Sequence, residues 1–548
     1  MKDKLFRQIR NLYRINADAW HMFFSSFSKY KKFDGDYQEI CERIIKGCWN
    51  GRYFQTSSSG FSEFWMRDFA YCAESLVALG YSREVRETLI FALEHYEKFG
   101  AIRTKISRNG QPVDIFDIAP DSLALLILSL IRTDNGDLAK KHKVFLNSEI
   151  SRYYENIVDE SAGLVRGGYL SSVKDHSVRQ SSTYDNSMIA YLAKNLDELG
   201  LANPFKKFDW VKKIREKFWT GSYFKDNLES DDVTGDANIY PYWLGIFDDR
   251  LMMEKSFTSM ERAGLADPFP LKYSSHRRGV FVKLINFFTP NYQGDTIWLQ
   301  NGLIYLRLLE KTNQKKFQKY FGIYKGLIEH NKNFIEVFHS NGQTYRTPFY
   351  KADEALLWCS MFLDLARKKD DHETLLQLAR AAIESKLSGE KLDISEFKLT
   401  PTLKKKGASF VTLTANGKLR GCMGDLAAKQ SLYENVIENA RNAAFADSRF
   451  APLRGDEINK IKIEISVLSK LTKLIYTTPK ELIDILKSKH PGVFLSKKSH
   501  SATFLPQVWE ELSDPESFLS ELCLKAGLPA SEWQKDVIIE TYTVEEIK

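Results

Sequence analysis

One stretch, Leu419-Arg420-Gly421-Cys422-Met423-Gly424, places a single thiol between two glycines and shortly after an arginine. Glycine lets another group approach the backbone closely, and a neighbouring arginine favours the thiolate form of a cysteine. The preceding residues 408–413 alternate in the manner of a strand, and Asn416-Gly417 is typical of a tight turn. The sequence therefore predicts a β-hairpin that presents Cys422 on the strand leaving the turn.

The same stretch resembles the LRGCIG motif of the AMMECR family, with Met423 where that family usually has isoleucine. Three further blocks, residues 443–453, 464–469 and 502–510, resemble the family's later blocks in the same order. The resemblance covers about the last third of the chain. It implies a compact α+β domain of two subdomains, and it implies no particular reaction.

Length and composition set the broad class of the protein. A chain of 548 residues is too long for one ordinary core, so we expect at least two domains. Hydrophobic residues make up 43% and aromatic residues 13%, as in a globular protein. The formal charge of +7 is small for this length, so nucleic acid is not an expected partner.

Other signals narrow the location and the chemistry. The six cysteines form no C-x-x-C pair, and this scatter predicts reduced thiols in a cytoplasmic protein. The first residues have no apolar signal region, and no apolar run is long enough to span a membrane. No nucleotide, EF-hand or H-E-x-x-H motif occurs, so we expect no cofactor and no metal.

The pattern along the chain predicts three segments. Residues 1–35 form a basic helical lead-in, residues 36–368 a helical domain, and residues 369–548 the AMMECR-like domain. A charged break at 367–372 is the expected linker, with a new helix from Thr374 to Ser385. Six segments of the helical domain have apolar residues at helical spacing: 70–79, 85–96, 122–131, 187–199, 297–309 and 355–365.

Polar and aromatic residues gather at the starts of these helices. Trp65, Arg67 and Asp68 combine a flat apolar face, a fork of donors and a charged acceptor, which suits a sugar. A buried tryptophan beside an Arg–Asp helix cap is the alternative. Later loops repeat the pattern by presenting a carboxylate near a helix start: Asp121, Asp185, Asp295 beside Trp298, Glu336 and Glu354. A single one of them is explained as an N-cap, whereas the recurrence favours a binding site.

In this order the blocks resemble the (α/α)6 barrel of six-hairpin glycosidases, such as glycogen-debranching, glucoamylase-like and neutral invertase proteins. The resemblance implies that Trp65-x-Arg67-Asp68 contacts the sugar in the innermost subsite. Pro120-Asp121-Ser122-Leu123 is similar to the segment that carries the general acid, although aliphatic residues follow where aromatic ones are usual. Residues 335–338 resemble the segment that holds the general base, and residues 294–298 resemble a Trp-bearing helix start.

This resemblance implies an inverting glycoside hydrolase that acts on a short or terminal α-linked oligosaccharide. Inversion requires one carboxyl to protonate the leaving oxygen and another to activate water, about 6.5–9.5 Å apart. We assign Asp121 as the acid and Glu336 as the base, with Asp185, Asp295 and Glu354 as rivals for either role. The alternative is a degenerate barrel that acts as a non-catalytic adaptor for a glycan or a protein.

The C-terminal domain offers a second chemistry, a thiol-dependent protein modification through Cys422. A catalytic thiol needs a base, commonly histidine, and His490 and His500 are the candidates of this domain. A structural cysteine packed under a glycine-rich turn is the favoured alternative. Residues 503–510 could offer a surface to a protein partner.

Overall fold

A computed structural model describes residues 28–114, 118–168, 172–174, 177–275, 280–281 and 289–548. Most of the expected helical lead-in, residues 1–27, lies outside these ranges. The chain divides into two compact units, Met1–Ala366 and Arg367–Lys548. Among the helices of the described ranges, none combines the length and the apolar character needed to cross a bilayer.

The N-terminal unit is mainly helical, and each of the six segments predicted as helical overlaps a helix. Its helices are Tyr37–Cys48, Met66–Ala78, Ser82–Phe99, Ser122–Arg132, Gly136–Lys141, Lys143–Ile157, Thr183–Asn195, Trp210–Phe218, Gly235–Trp243, Arg250–Arg262, Leu299–Thr312, Gln314–Asn331 and the start of Cys359–Ser388. Short antiparallel strands stand between them: Phe64–Trp65, Lys105–Ile106, Pro112–Val113, Val158–Asp159, Leu164–Val165, Ser177–Val178, Lys225–Asn227, Ser230–Val233, Val280–Phe281, Ile297–Trp298 and Val337–Phe338.

An inner series of helices runs through this unit. Met66–Ala78 packs on Ser122–Arg132, which packs on Thr183–Asn195, followed by Gly235–Trp243 and Leu299–Thr312. For one of these helices, Ser122–Arg132, the apolar composition explains why it lies in the interior of the unit. Residues 122–130, SLALLILSL, are all buried, as expected for a helix that is apolar on every face. The outer helices between them keep one charged face, as in Trp210–Phe218, where only the first residue, Ile214 and Phe218 are buried.

Arg307 joins the last helices of the inner series to the first. Its guanidinium donates to Ser75 Oγ at 2.6 Å and to Glu74 at 3.3 Å, both on Met66–Ala78. It also pairs with Asp364, near the end of the chain's N-terminal unit. These contacts of Arg307 tie the helix Leu299–Thr312 to Met66–Ala78 and to the start of Cys359–Ser388.

The helix Cys359–Ser388 contains the boundary between the units. The charged segment 367–372 lies inside this helix, so the expected break in the helix at that segment is wrong. Charged side chains occur on the surfaces of helices as well as in loops, so composition alone does not distinguish a charged helical segment from a linker. The remaining helices of the C-terminal unit are Pro401–Lys404, Leu432–Phe445, Pro479–Lys489 and Pro515–Lys525.

The C-terminal unit has two four-stranded antiparallel sheets, each with its own apolar core. The first sheet has the order Lys418–Gly424, Ala408–Ala415, Ile461–Leu468, Val544–Ile547. The second has the order Thr472–Lys473, Ile538–Tyr542, Gly492–Lys497, His500–Phe504. Two cores with separate sheets are the α+β arrangement that the sequence predicted.

The predicted hairpin around Cys422 is confirmed. Asn416 and Gly417 both adopt positive φ, at 51° and 75°, which a tight hairpin turn requires. Cys422 then lies opposite Thr412 on the neighbouring strand. A Cβ at Gly421 would stand 2.0 Å from the Ala443 carbonyl oxygen, so the glycine allows the helix Leu432–Phe445 to lie directly on this strand.

Candidate functional site

The best-defined polar cluster of the N-terminal unit lies at the starts of the first three inner helices. Arg67 Nε donates to Asp121 Oδ2 at 2.8 Å, and the Tyr184 hydroxyl donates to the same oxygen at 2.9 Å. Asp121 is fully buried, and its other oxygen, Oδ1, has no hydrogen-bond partner among the described residues. A buried carboxylate oxygen left unpaired is costly, so this oxygen is available to a ligand.

Asp68 and two tryptophans lie beside this cluster. Trp358 Nε1 donates to Asp68 Oδ1 at 2.9 Å. Burial raises the pKa of Asp68 to about 6, against the opposing effect of the Arg67 charge. The ring of Trp65 lies under the Lys105 ammonium at 4.8 Å, and Trp65 Nε1 has no partner among the described residues. Arg67 thus pairs with Asp121, which directly precedes a different helix, so the contacts of Arg67 extend beyond the start of its own helix.

Glu336 occupies a second buried position, just before the strand Val337–Phe338. Its oxygens accept from the Tyr292 hydroxyl at 2.9 Å, the Tyr350 hydroxyl at 2.8 Å and the Asp353 backbone N–H at 3.1 Å. Burial, and then the negative charge of Asp353, raise the pKa of Glu336 to about 8, although the three donors oppose the change. Burial therefore favours the protonated form of this carboxyl over the charged form.

Aromatic rings connect the two carboxyl groups. Tyr292, which donates to Glu336, meets the Trp298 ring edge to face at 4.8 Å, and Trp298 donates to the Tyr292 carbonyl at 2.7 Å. The Trp298 ring lies 6.5 Å from that of Trp358, the donor to Asp68. Trp298 is thus linked to Glu336 through Tyr292, and to Asp68 through Trp358.

The three rival carboxylates have different surroundings. Asp185 is buried and accepts from Ser172 at 2.6 Å and Ser182 at 2.5 Å, and burial raises its pKa. Glu354 is buried, and its two oxygens are held by Lys351 Nζ at 2.8 Å and by Asn333 Nδ2 at 2.7 Å. Asp295 is partly exposed. The fixed partners of Glu354 make it part of the loop's framework.

Sequence reasoning missed several residues that build this region. Asp353 shapes the loop opposite Glu336: its carboxylate accepts from Ser57 and Ser59 and from the backbone N–H groups of Gly60 and Phe61. The position of Asp353 next to Glu354, which the sequence had already made a candidate, is the sequence signal that points to Asp353. The tyrosines at 184, 292 and 350 carry no motif, because only the tertiary fold brings their hydroxyls to the carboxylates.

Further unpaired polar atoms lie at the starts of the later inner helices. Arg179 pairs with Asp236 Oδ2 at 2.8 Å, and Tyr240 donates to Asn301 Oδ1 at 3.1 Å. Among the described residues, the following buried atoms lack any partner: Asp236 Oδ1, Gln300 Oε1 and Asn301 Nδ2. Together with Asp121 Oδ1 and Trp65 Nε1 they offer both acceptors and donors, and sugar hydroxyls match both.

In the C-terminal unit, Cys422 is partly exposed, and Thr412 Oγ1 donates to its sulfur at 3.3 Å. The predicted histidine bases lie elsewhere. His490 packs on the Trp509 ring with centroids 5.1 Å apart, and His500 Nδ1 lies 3.0 Å from the Ala526 carbonyl. Asp447 and Arg449 contact the Cys422 backbone instead: Asp447 Oδ2 accepts from its N–H at 2.9 Å, and Arg449 Nη2 donates to its carbonyl at 3.3 Å.

Comparisons with known proteins address the two units separately. The AMMECR1 family model matches residues 376–547. A protein of Saccharolobus islandicus is 41% identical over 165 residues, which are 29% of this chain and 72% of the relative. A protein of Nanoarchaeum equitans is 36% identical over 173 residues, 31% of this chain and 95% of the relative. The resemblance of the C-terminal motifs to this family is confirmed.

Among solved structures, glycosidases are similar to the N-terminal part of the chain. One is the GH63 mannosylglycerate hydrolase from Thermus thermophilus in complex with Tris and D-glycerate. It is 11% identical with a TM-score of 0.45, and the match covers 60% of this chain and all of that one.

Proposed function

The chain belongs to the AMMECR1 family through its C-terminal residues, and we propose that its N-terminal unit is an inverting glycoside hydrolase. Its substrate is a short or terminal α-linked oligosaccharide. The observation that carries this proposal is the path of contacts between two buried carboxyl groups. From Asp121 it runs through Arg67 and its neighbour Asp68 to two tryptophans, Trp358 and Trp298, and through Tyr292 to Glu336.

The proposal includes an (α/α)6 toroid. Five inner helices pack in succession, and Arg307 links the last of them to the first and to Asp364. The start of Cys359–Ser388 is the sixth inner helix, and an outer helix precedes each inner one along the chain. Such a ring directs six helix N-termini to one end, where their partial positive charge suits ligand oxygens.

The lining of this end favours a neutral sugar. The tryptophan rings of Trp65, Trp298 and Trp358 supply flat apolar faces against which a pyranose ring can stack. The unpaired atoms of Asp121 and Asn301 supply an acceptor and a donor for hydroxyl groups. Both features are needed because a sugar has an apolar ring face and a polar rim.

In the proposed reaction, Asp121 protonates the leaving glycosidic oxygen and Glu336 takes a proton from the attacking water. The bond from the anomeric carbon to the leaving oxygen breaks as the water oxygen bonds to the opposite face of that carbon, which inverts its configuration. Asp185, whose pKa is raised by burial, is the second candidate for the acid. Tyr292 and Tyr350 hold the Glu336 carboxylate in place once it has ionised.

The raised pKa of Glu336 predicts how the rate of hydrolysis changes with pH under each assignment. A general base must first lose its proton, so hydrolysis should rise with pH up to about 8 if Glu336 is the base. If Glu336 is instead the acid, hydrolysis should fall across the same range. The slope of the pH profile therefore separates the two assignments.

The test is a panel of α-linked di- and oligosaccharides followed by proton NMR, which reports the anomer released first. We expect inversion with the natural chain and loss of turnover in Asp121→Asn and Glu336→Gln. Asp231→Asn and Glu216→Gln change exposed carboxylates and should keep full activity. Full turnover in either site variant contradicts the assignment, and saturable sugar binding without turnover by the natural chain favours the adaptor function.

A further inference from the structure

Three buried tyrosines form a cluster next to Asp121, each on a different inner helix of the N-terminal unit. None of Tyr71, Tyr184 and Tyr240 exposes more than 2% of its surface. The Tyr184 and Tyr240 rings meet edge to face with centroids 4.7 Å apart, and the Tyr71 ring lies 5.7 Å from that of Tyr240. A buried phenol needs a hydrogen-bond partner for its hydroxyl group, so the partner of each hydroxyl indicates its role.

The hydroxyl groups of Tyr71 and Tyr184 form a chain that ends at Asp121. Tyr184 donates to Asp121 Oδ2 at 2.9 Å, and its oxygen lies 3.3 Å from the Tyr71 hydroxyl. A phenol has one proton to donate, and that of Tyr184 goes to Asp121, so Tyr71 is the donor in the second contact. Hydrogen bonds in a chain polarise one another. Tyr71 therefore strengthens the bond from Tyr184 to the carboxyl group.

The two oxygens of Asp121 differ in their surroundings. Oδ2 accepts from Arg67 Nε at 2.8 Å and from the Tyr184 hydroxyl, whereas Oδ1 has no partner among the described residues. A carboxyl oxygen has two lone pairs, and both lone pairs of Oδ2 are occupied by these donors. When Asp121 is protonated, its proton is therefore carried by Oδ1, the oxygen that is available to a ligand.

Asp185, the rival for the role of acid, has a different arrangement. Ser172 donates to Asp185 Oδ1 at 2.6 Å, and Ser182 donates to Oδ2 at 2.5 Å. Each oxygen of Asp185 thus has a donor of its own, and no oxygen is distinguished as the site of a proton. The hydrogen bonds favour Asp121 over Asp185 as the group that presents a proton to a ligand.

We propose that Tyr184, supported by Tyr71, is a positioning residue for Asp121: by occupying Oδ2 it keeps the acidic proton on Oδ1, facing the leaving oxygen. This inference rests on the role of Asp121 as the acid of the proposed glycoside hydrolysis. Tyr184 is fully buried and its hydroxyl is bonded to Asp121, so it acts through that carboxyl group. As the proton passes from Oδ1 to the glycosidic oxygen, Asp121 becomes a carboxylate, and the bonds from Arg67 and Tyr184 to Oδ2 stabilise its charge.

The kinetic test uses Tyr184→Phe, which removes the hydroxyl group and keeps the ring. Loss of one donor to a carboxylate corresponds to a factor of about ten. We expect kcat for an α-linked oligosaccharide to fall about tenfold while KM changes less than about twofold. The limb of the pH–rate profile that reports the acid should move to higher pH by about one unit. Tyr191→Phe changes a buried tyrosine about two turns further along the same helix and should leave both quantities unchanged.

A second measurement needs no turnover. Infrared titration of the full chain with isotope-labelled aspartate follows the protonation of Asp121, whose band is identified by its loss in Asp121→Asn. In Tyr184→Phe the midpoint of this titration should move to higher pH by about one unit, and in Tyr71→Phe it should move the same way by less. If the natural chain hydrolyses no glycoside, the proposed function fails, and the midpoint still decides whether Tyr184 holds the proton of Asp121 on Oδ1.

Circular dichroism reports whether each variant folds. The inference is overturned if Tyr184→Phe folds and keeps either the natural midpoint or, where the natural chain is active, the natural kcat. If Tyr184→Phe does not fold, Tyr71→Phe takes its place, and an unchanged midpoint in that variant overturns the inference.

Discussion

Replacement of Glu336 by glutamine should stabilise the N-terminal unit, and the gain should grow with pH. The folded unit holds the pKa of Glu336 at about 8, whereas the ordinary value is 4.5. Between these two values the folded chain binds more protons at this site than the unfolded chain does. Stability therefore falls as the pH rises through this range, and Glu336→Gln removes that fall because glutamine does not ionise.

The size of the effect follows from the same two values. They are about 3.5 pH units apart, and one unit corresponds to about 1.36 kcal/mol. The advantage of the variant over the natural chain should thus change by about 5 kcal/mol between pH 4 and pH 9. The unfolding entropy is about 2.1 cal/mol/K per residue. For a unit of 366 residues, the change corresponds to a relative gain of about 6 °C in Tm.

The assay is thermal unfolding of the full chain from pH 4 to pH 9, followed by tryptophan fluorescence. Eight of the ten tryptophans lie before residue 367, so the signal reports mainly on the N-terminal unit. Glu216→Gln serves as the control, because its carboxylate is exposed. A difference in Tm between Glu336→Gln and the natural chain that stays the same across the pH range would refute the reasoning.

Two other changes test single contacts. Tyr350→Phe removes a 2.8 Å donor to the Glu336 carboxylate, so the pKa of Glu336 should rise by about one unit. Isotope-edited infrared spectroscopy of labelled glutamate measures this pKa. An unchanged or lower pKa contradicts the hydrogen bond. Gly421→Ala puts a Cβ 2.0 Å from the Ala443 oxygen and should destabilise the C-terminal unit by about 1–3 kcal/mol in urea unfolding. Gly455→Ala meets no atom within 4 Å and should cost far less than Gly421→Ala.

Local sequence patterns predicted much of the fold. The hairpin around Cys422 follows from strand alternation and one Asn-Gly turn, and both are properties of adjacent residues. The helices of the N-terminal unit follow from apolar spacing within about three turns. The charged segment 367–372 was mistaken for a break because charge is compatible with a helix surface as well as with a loop.

The sequence by itself determined the candidates for the chemistry, since short motifs point to Cys422, Asp121 and Glu336. Only the tertiary structure decided what surrounds them. The phenol donors to Glu336 come from positions 292 and 350, and the carboxylate that accepts from the Cys422 backbone comes from position 447. Burial and neighbouring charge set the reactivity of these groups, and both depend on chain segments that packing alone brings together.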